Sequence, residues 1–264
     1  MKFALVMGAS GDIGKAIAAD LASDGWSLYL HGFKDQLSLD EQLESYQNQF
    51  PKQDFFKLTL DMTDEKGVAT FLEALFQVDA VIFSSGFTSY QLLTEVSAIE
   101  MEKMWQVHLK TPLLLLQKLQ PKLAKSTLGR IIFISSVYGE VGSAMEVLYS
   151  TLKGAQLAFV KAYSKEVASL GITVNAIAPG AIQTKMNSEF SETEVTELVQ
   201  EIPVGRLGQP NDISFWVKQL LKEESRITLT ILSLTRGSFT VRSRFAISCW
   251  ISSLIRPIRL LAII

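Results

Sequence analysis

Short apolar runs alternate with amphipathic stretches along most of the chain, and this alternation predicts repeated strand–helix units. Lys2–Met7 reads as a buried strand and is followed by a glycine-rich turn and a helical pattern ending at Gly25. Trp26–His31 is a second strand, residues 36–50 a helix, and Asp54–Leu60 a third strand. Residues 64–76 form a helix and Asp79–Phe83 a fourth strand. Residues 97–125 predict one long apolar helix in which Pro112 marks a kink. Gly129–Ser135 is a fifth strand, Val147–Leu170 a helix, and Ile172–Ile177 a sixth strand. Strands alternating with helices predict an α/β domain, a doubly wound parallel sheet with helices on both faces. In such a sheet ligands bind beyond the carboxyl ends of the strands. The glycine turn, Asp61, Ser84–Gly86, Ser136 and Pro179-Gly180 all fall at those ends.

Length and charge narrow the picture. The chain has 264 residues, 48% of them hydrophobic, which is enough for one α/β domain with a sizeable core. A net charge of −2 excludes a polyelectrolyte that binds nucleic acid through bulk charge. Cys249 is the single cysteine, so no intramolecular disulfide forms, and a reducing, cytoplasmic setting is expected. With two histidines, His31 and His108, and no Cys/His cluster, no metal site is expected. The apolar N-terminus meets glycines at once and reads as a first strand rather than a signal peptide.

The chemistry concentrates in two stretches. Gly8-Ala9-Ser10-Gly11-Asp12-Ile13-Gly14 lies between a strand and a helix, where glycines admit a pyrophosphate to the backbone and the helix N-terminus supplies N–H donors. The end of the second strand reads His31-Gly32-Phe33-Lys34, with a lysine and no acid to prefer a free ribose 2′-hydroxyl, which leans toward NADP(H) over NAD(H). The second stretch holds Ser136, Tyr149 and Lys153. Tyr149 and Lys153 are one helical turn apart and share a face. An ammonium beside a phenol lowers the tyrosine pKa. Such a tyrosine passes a proton to or from a carbonyl oxygen, and Ser136 donates to the same oxygen. Residues 181–209, polar and rich in glutamate, are expected to form a lid over the strand ends.

Over roughly residues 1–225 the chain resembles the short-chain dehydrogenase/reductase family, of the small single-domain, Rossmann type with about seven strands. MGASGDIG resembles the family's TGxxxGxG turn, with Asp12 in place of the middle glycine. Phe83-Ser84-Ser85-Gly86 stands for NNAG, and His108 for the asparagine that holds a water in the family's proton relay. The resemblance implies hydride transfer between a nicotinamide dinucleotide and a carbonyl or alcohol. Ser136, Tyr149, Lys153 and His108 would be its catalytic residues. It implies cofactor contacts from Gly8, Ser10, Gly11, Asp12, Ile13 and Gly14, and from Lys34, Asp61, Met62, Ser84, Ser85 and Gly86. Tyr149, Lys153, Pro179, Gly180, Ile182 and Thr184 complete that set at the nicotinamide end, and Tyr138 and Glu146 would meet the substrate. NAIAPGAI and PVGRLGQP resemble the 3-oxoacyl-acyl-carrier-protein reductases, although Thr127 and Leu170 stand where those carry arginines. Residues 134–160 resemble more closely the reductases acting on a ketone borne by a modified lysine of elongation factor P, which implies a cationic substrate near Glu146. A third class, a dinucleotide-binding scaffold without activity, fits the departures at Asp12 and His108. The family implies a homodimer or homotetramer acting on a small or carrier-bound carbonyl compound.

The composition changes near Glu224. Residues 1–224 carry 17 lysines and 2 arginines, whereas residues 225–264 carry 6 arginines, no lysine and no acid. The domain is therefore expected to span 1–239, with 240–264 an atypical apolar tail. The shift is expected to reflect a change of reading frame, which resequencing the 3′ end tests, with a membrane anchor as the competing reading. Arg256, Pro257 and Arg259 interrupt the tail's apolar run, so no span of about 20 residues is expected to cross a bilayer.

Overall fold

The structure is a computed structural model that describes residues 1–185, 192–202, 204–225, 227–228, 231–235 and 238–242. One sheet organises it. Strands β1 (Lys2–Met7), β2 (Trp26–Gly32), β3 (Phe55–Thr59), β4 (Ala80–Phe83), β5 (Arg130–Ile134), β6 (Thr173–Pro179) and β7 (Ile231–Thr235) run parallel. Strand β8 (Ser238–Arg242) closes the edge antiparallel to β7. The order is β3-β2-β1-β4-β5-β6-β7-β8. The winding reverses between β1 and β4, which opens a crevice at their carboxyl ends.

Helices α1 (Asp12–Ser23), α2 (Gln36–Gln49), α3 (Gly67–Glu73), α4 (Ala98–Trp105), α5 (Thr111–Lys125), α6 (Tyr138–Val141), α7 (Val147–Val167), α8 (Glu192–Glu201) and α9 (Pro210–Leu220) are distributed over the chain. Successive side chains of β1 point to opposite faces. Phe3, Leu5 and Met7 join one core with Leu115, Leu119, Leu157 and Val160 of α5 and α7. Ala4 and Val6 join the other with Ile17, Leu21, Ile213 and Val217 of α1 and α9. Central strands buried on both faces explain why β1 and β5 read as unbroken apolar runs. Helix starts follow their capping chemistry. The Asp35 carboxylate accepts from Ser38 N–H at 3.1 Å and starts α2, and Ser97 Oγ accepts from Glu100 N–H at 3.2 Å and starts α4.

The helix expected over 97–125 runs from Ala98 to Lys125, its α-winding broken at Gln106–Lys110 by a π-turn. The break precedes Pro112 because proline has no N–H for the carbonyl four residues back, that of His108. The short helix α6, between β5 and α7, has no counterpart in the apolar pattern. Of the stretch expected to form a lid, residues 186–191 and 203 lie outside the described residues. α8 occupies part of the remainder. Within the expected seventh strand, Ile231–Thr235 is a strand, and residues 229 and 230 lie outside the described residues. Residues 243–264 of the expected tail lie outside the described residues. Among the described residues no helix is long and apolar enough to cross a membrane.

Candidate active site

The crevice is built from the strand ends inward. After β1 the chain turns at Gly8, whose φ of +84° favours glycine. A Cβ there would lie 2.7 Å from Ser85 N, so the turn and the end of β4 approach each other backbone to backbone. Gly14 is equally constrained, since its Cβ would meet Gly8 O at 2.0 Å. Gly11 is the N-cap of α1 and brings no side chain to the first-turn N–H groups. These groups, with the positive end of the helix, form a cradle suited to a pyrophosphate. Ser85 Oγ borders the same turn, buried and without a hydrogen-bond partner. Residues Gly8–Gly14 and Ser85 therefore fit a dinucleotide.

His31 braces this turn. Its carbonyl accepts from Ala9 N–H at 2.7 Å, its Nδ1 accepts from Gly8 N–H at 3.1 Å, and its Nε2 donates to Leu60 O at 3.1 Å. Burial holds its pKa near 4, so the ring is neutral and both bonds persist at neutral pH. Beyond β2, Lys34 is exposed, and Asp35, the nearest acid, is committed to capping α2. Ser10 Oγ lies against Gly32. Asp61 follows β3, and its Oδ1 accepts from both Thr63 N–H and Thr63 Oγ. Buried Met62 offers its carbonyl to Thr111 Oγ at 2.7 Å. Ser84 Oγ donates to Met7 O at 2.7 Å and ties β4 to β1.

Ser136, Tyr149, Lys153 and His108 come together. Ser136 follows β5, and its hydroxyl accepts from Tyr138 N–H at 3.2 Å. Lys153 Nζ stands 5.4 Å from the Tyr149 ring centre and donates to Ile134 O at 2.8 Å. Ser135 Oγ donates to Lys153 O at 3.0 Å, pinning α7 to β5. Gly139 and Gly154 permit close packing of α6 on α7: a Cβ on Gly139 would lie 2.7 Å from the Lys153 carbonyl carbon. The His108 ring stands edge-on to Tyr149 with centres 5.6 Å apart.

The protonation states differ from the expected ones. Burial pushes the Tyr149 phenol above its ordinary pKa, Ser136 pulls it partly back, and the Glu146 charge raises it further. Lys153, also buried, falls to about 7 and does not counter this. Burial is the largest influence on both groups, and it favours the neutral phenol and the neutral amine. A phenol held neutral is a proton donor, which suits carbonyl reduction. His108 falls to about 3 through burial and the Lys153 charge. With Nε2 protonated, its ring donates to Phe87 O at 2.8 Å. It therefore faces the backbone after β4.

Glu146 precedes α7 without capping it, and its carboxylate accepts from Thr88 Oγ at 2.6 Å. Tyr138 opens α6. Pro179, Gly180, buried Ile182 and Thr184 follow one another at the end of β6, with Ile182 paired to Gly208. Thr88, His31 and Gln156 were not singled out by pattern. Thr88 and His31 carry no local signature, but Gln156 had one, being a polar residue on the apolar, inward face of α7 at helical spacing from Tyr149.

Comparison with known proteins follows the same lines. A family model described as short chain dehydrogenase matches residues 2–195. An uncharacterized oxidoreductase of Bacillus subtilis, YmfI, is 39% identical over 89% of this chain and 98% of its own. The 3-oxoacyl-[acyl-carrier-protein] reductase FabG of Aquifex aeolicus is 30% identical over 90% of this chain and 97% of its own. Among solved structures, the angucycline C-6 ketoreductase LanV with bound NADP superposes with a TM-score of 0.81 at 26% identity, covering 88% of this chain and 93% of that one.

Proposed function

The chain belongs to the short chain dehydrogenase family and is an NAD(P)-dependent oxidoreductase, and from that premise we propose that it is an NADPH-dependent carbonyl reductase, taking 3-oxoacyl thioesters. The observation that carries this reading is the Lys153 ammonium 5.4 Å from the Tyr149 ring centre, one helical turn along α7, with Ser136 and the glycine cradle at the carboxyl ends of the neighbouring strands. The dinucleotide, when bound, supplies the hydride. Gly8–Gly14 would hold its pyrophosphate, Asp61 and Met62 the adenine end, and Pro179, Gly180, Ile182 and Thr184 the nicotinamide end. The preference for NADP(H) is supported by exposed Lys34 and by Asp35, which is turned into its own helix.

Ser136 orients the substrate carbonyl by donating to its oxygen. Tyr149, neutral at physiological pH, gives that oxygen its proton as the carbonyl carbon is reduced, and the alcohol leaves. Lys153, when protonated, stabilises the phenolate that remains. The protein acts as a homo-oligomer in the cytoplasm, a reducing setting that suits a chain with one cysteine.

A second reading takes the substrate to be a ketone carrying an amine, as on a modified lysine of elongation factor P. It is favoured by Glu146, whose carboxylate is held by Thr88 beside Tyr149 and is not used to cap α7. NADPH oxidation with an acetoacetyl thioester and a small aminoketone, offered side by side, tests both. Faster turnover of the thioester supports the first reading. Preference for the aminoketone, abolished in Glu146→Gln, supports the second. Turnover of neither sinks both.

A further inference from the structure

Gln156 lies seven residues after Tyr149 and three after Lys153 on α7, so the three side chains share one face. It is 2% exposed, and the reaction as derived above makes no use of it. Its side-chain N–H donates to the His108 carbonyl at 2.7 Å. That carbonyl is open to a side chain because the residue four positions on is Pro112, without an N–H, and because residues 106–110 are wound as a π-turn. The other half of the amide, Oε1, is buried without a protein partner, and so is His108 Nδ1. Buried acceptors are almost always matched with donors. A buried water, which carries two hydrogens, is a donor suited to both.

We propose that Gln156 is a positioning residue of the catalytic face. It captures the carbonyl released by Pro112, thereby holds the His108 ring edge-on to Tyr149, and with His108 Nδ1 keeps a buried water on the inner side of the Tyr149–Lys153 pair. The water-holding role expected of the His108 side chain alone is shared between two residues from elements 48 positions apart. Gly86 completes the arrangement from the other side, since a Cβ there would lie 2.6 Å from His108 Cε1. The consequence for turnover rests on the reductase reading, whereas the placement of His108 does not.

The test uses the two histidines as reporters, with His31 as the internal control. Ring-nitrogen NMR spectra of the full chain are recorded for the wild type, Gln156→Leu and Gln156→Glu, alongside NADPH binding and turnover. In Gln156→Leu the His108 pattern shifts while that of His31 stays. kcat then falls about tenfold, with the Kd for NADPH unchanged. In Gln156→Glu a protonated carboxyl reproduces the bond to the His108 carbonyl. Near pH 6 this variant keeps the wild-type pattern and rate, and it loses both as the carboxyl ionises, adding a limb to the pH profile that the wild type lacks. Such a limb does not arise from a merely structural role. An unmoved His108 pattern in Gln156→Leu overturns the proposal, as does a pattern that moves with no change in kcat. A wild type that turns over no ketone defeats the reductase reading, and the spectra still decide whether Gln156 fixes His108.

Discussion

The Asp12 carboxylate accepts a hydrogen bond from the backbone N–H of Lys185 at 2.6 Å, joining the first turn of α1 to a residue 173 positions later. Asp12 stands where the family's turn has a glycine. Its oxygen is directed across the crevice to the segment after β6, so the extra side chain does not fill the cradle formed by Gly8, Gly11 and Gly14.

A charge remains at that position, however, beside the place a pyrophosphate would take. Asp12→Asn keeps an oxygen for Lys185 N–H and removes the charge. One charge a few ångströms from a phosphate in water costs about 1 kcal/mol, so the Kd for NADPH in this variant is expected to fall about fivefold at low salt. The difference should fade as salt is added. Fluorescence titration at two ionic strengths checks this, and unchanged affinity at both places Asp12 away from the phosphates.

Tyr149→Phe removes the phenol assigned as the proton donor. Turnover is expected to drop by about 10² to 10⁴-fold. NADPH affinity should stay within a few-fold, because the cradle is untouched. Stopped-flow reduction together with cofactor titration separates the two, and a variant with normal turnover removes the tyrosine from the mechanism.

Stability is expected to rise with pH from about 4 to 10. His31 and His108 are buried neutral, with folded values near 4 and 3 against an ordinary 6.5. Between those values the unfolded chain binds more protons, so unfolding becomes less favourable as pH increases toward 6.5. For His31 the effect amounts to at most about 3 kcal/mol. Lys153, folded near 7 against 10.5, acts in the same direction from pH 7 upward. Above pH 10 the trend reverses, because Tyr46, pushed up to about 12, and Tyr149 hold protons that the unfolded chain releases. Urea midpoints across this range check the profile, and His31→Asn should flatten its acidic part.

Gly86→Ala places a methyl 2.6 Å from His108 Cε1. A loss of about 1 to 3 kcal/mol is expected from this overpacking. His108→Ala makes room for the methyl, so the double variant should lose less than the sum of the two single changes. Denaturant melts of the four proteins give the coupling directly, and strict additivity shows that the two positions do not press on each other.

The sheet and the line of the crevice follow from local pattern. Strands buried on both faces are apolar throughout, helices are periodic, and a ligand crevice must lie at the strand ends, so the Gly8–Gly14 turn, Asp61, Ser136 and Pro179-Gly180 were legible from pattern. The four-residue step from Tyr149 to Lys153 is a property of any helix. Only the tertiary structure decided where Asp12 points, that Thr88 holds Glu146, that His108 faces Phe87, and that Gln156 takes the carbonyl Pro112 leaves open. These contacts join residues 21 to 173 positions apart, and no local propensity encodes them. The pKa values of Tyr149 and Lys153 belong to the same class. Pairing of charges can be read from spacing, but desolvation depends on what the rest of the fold stacks around them.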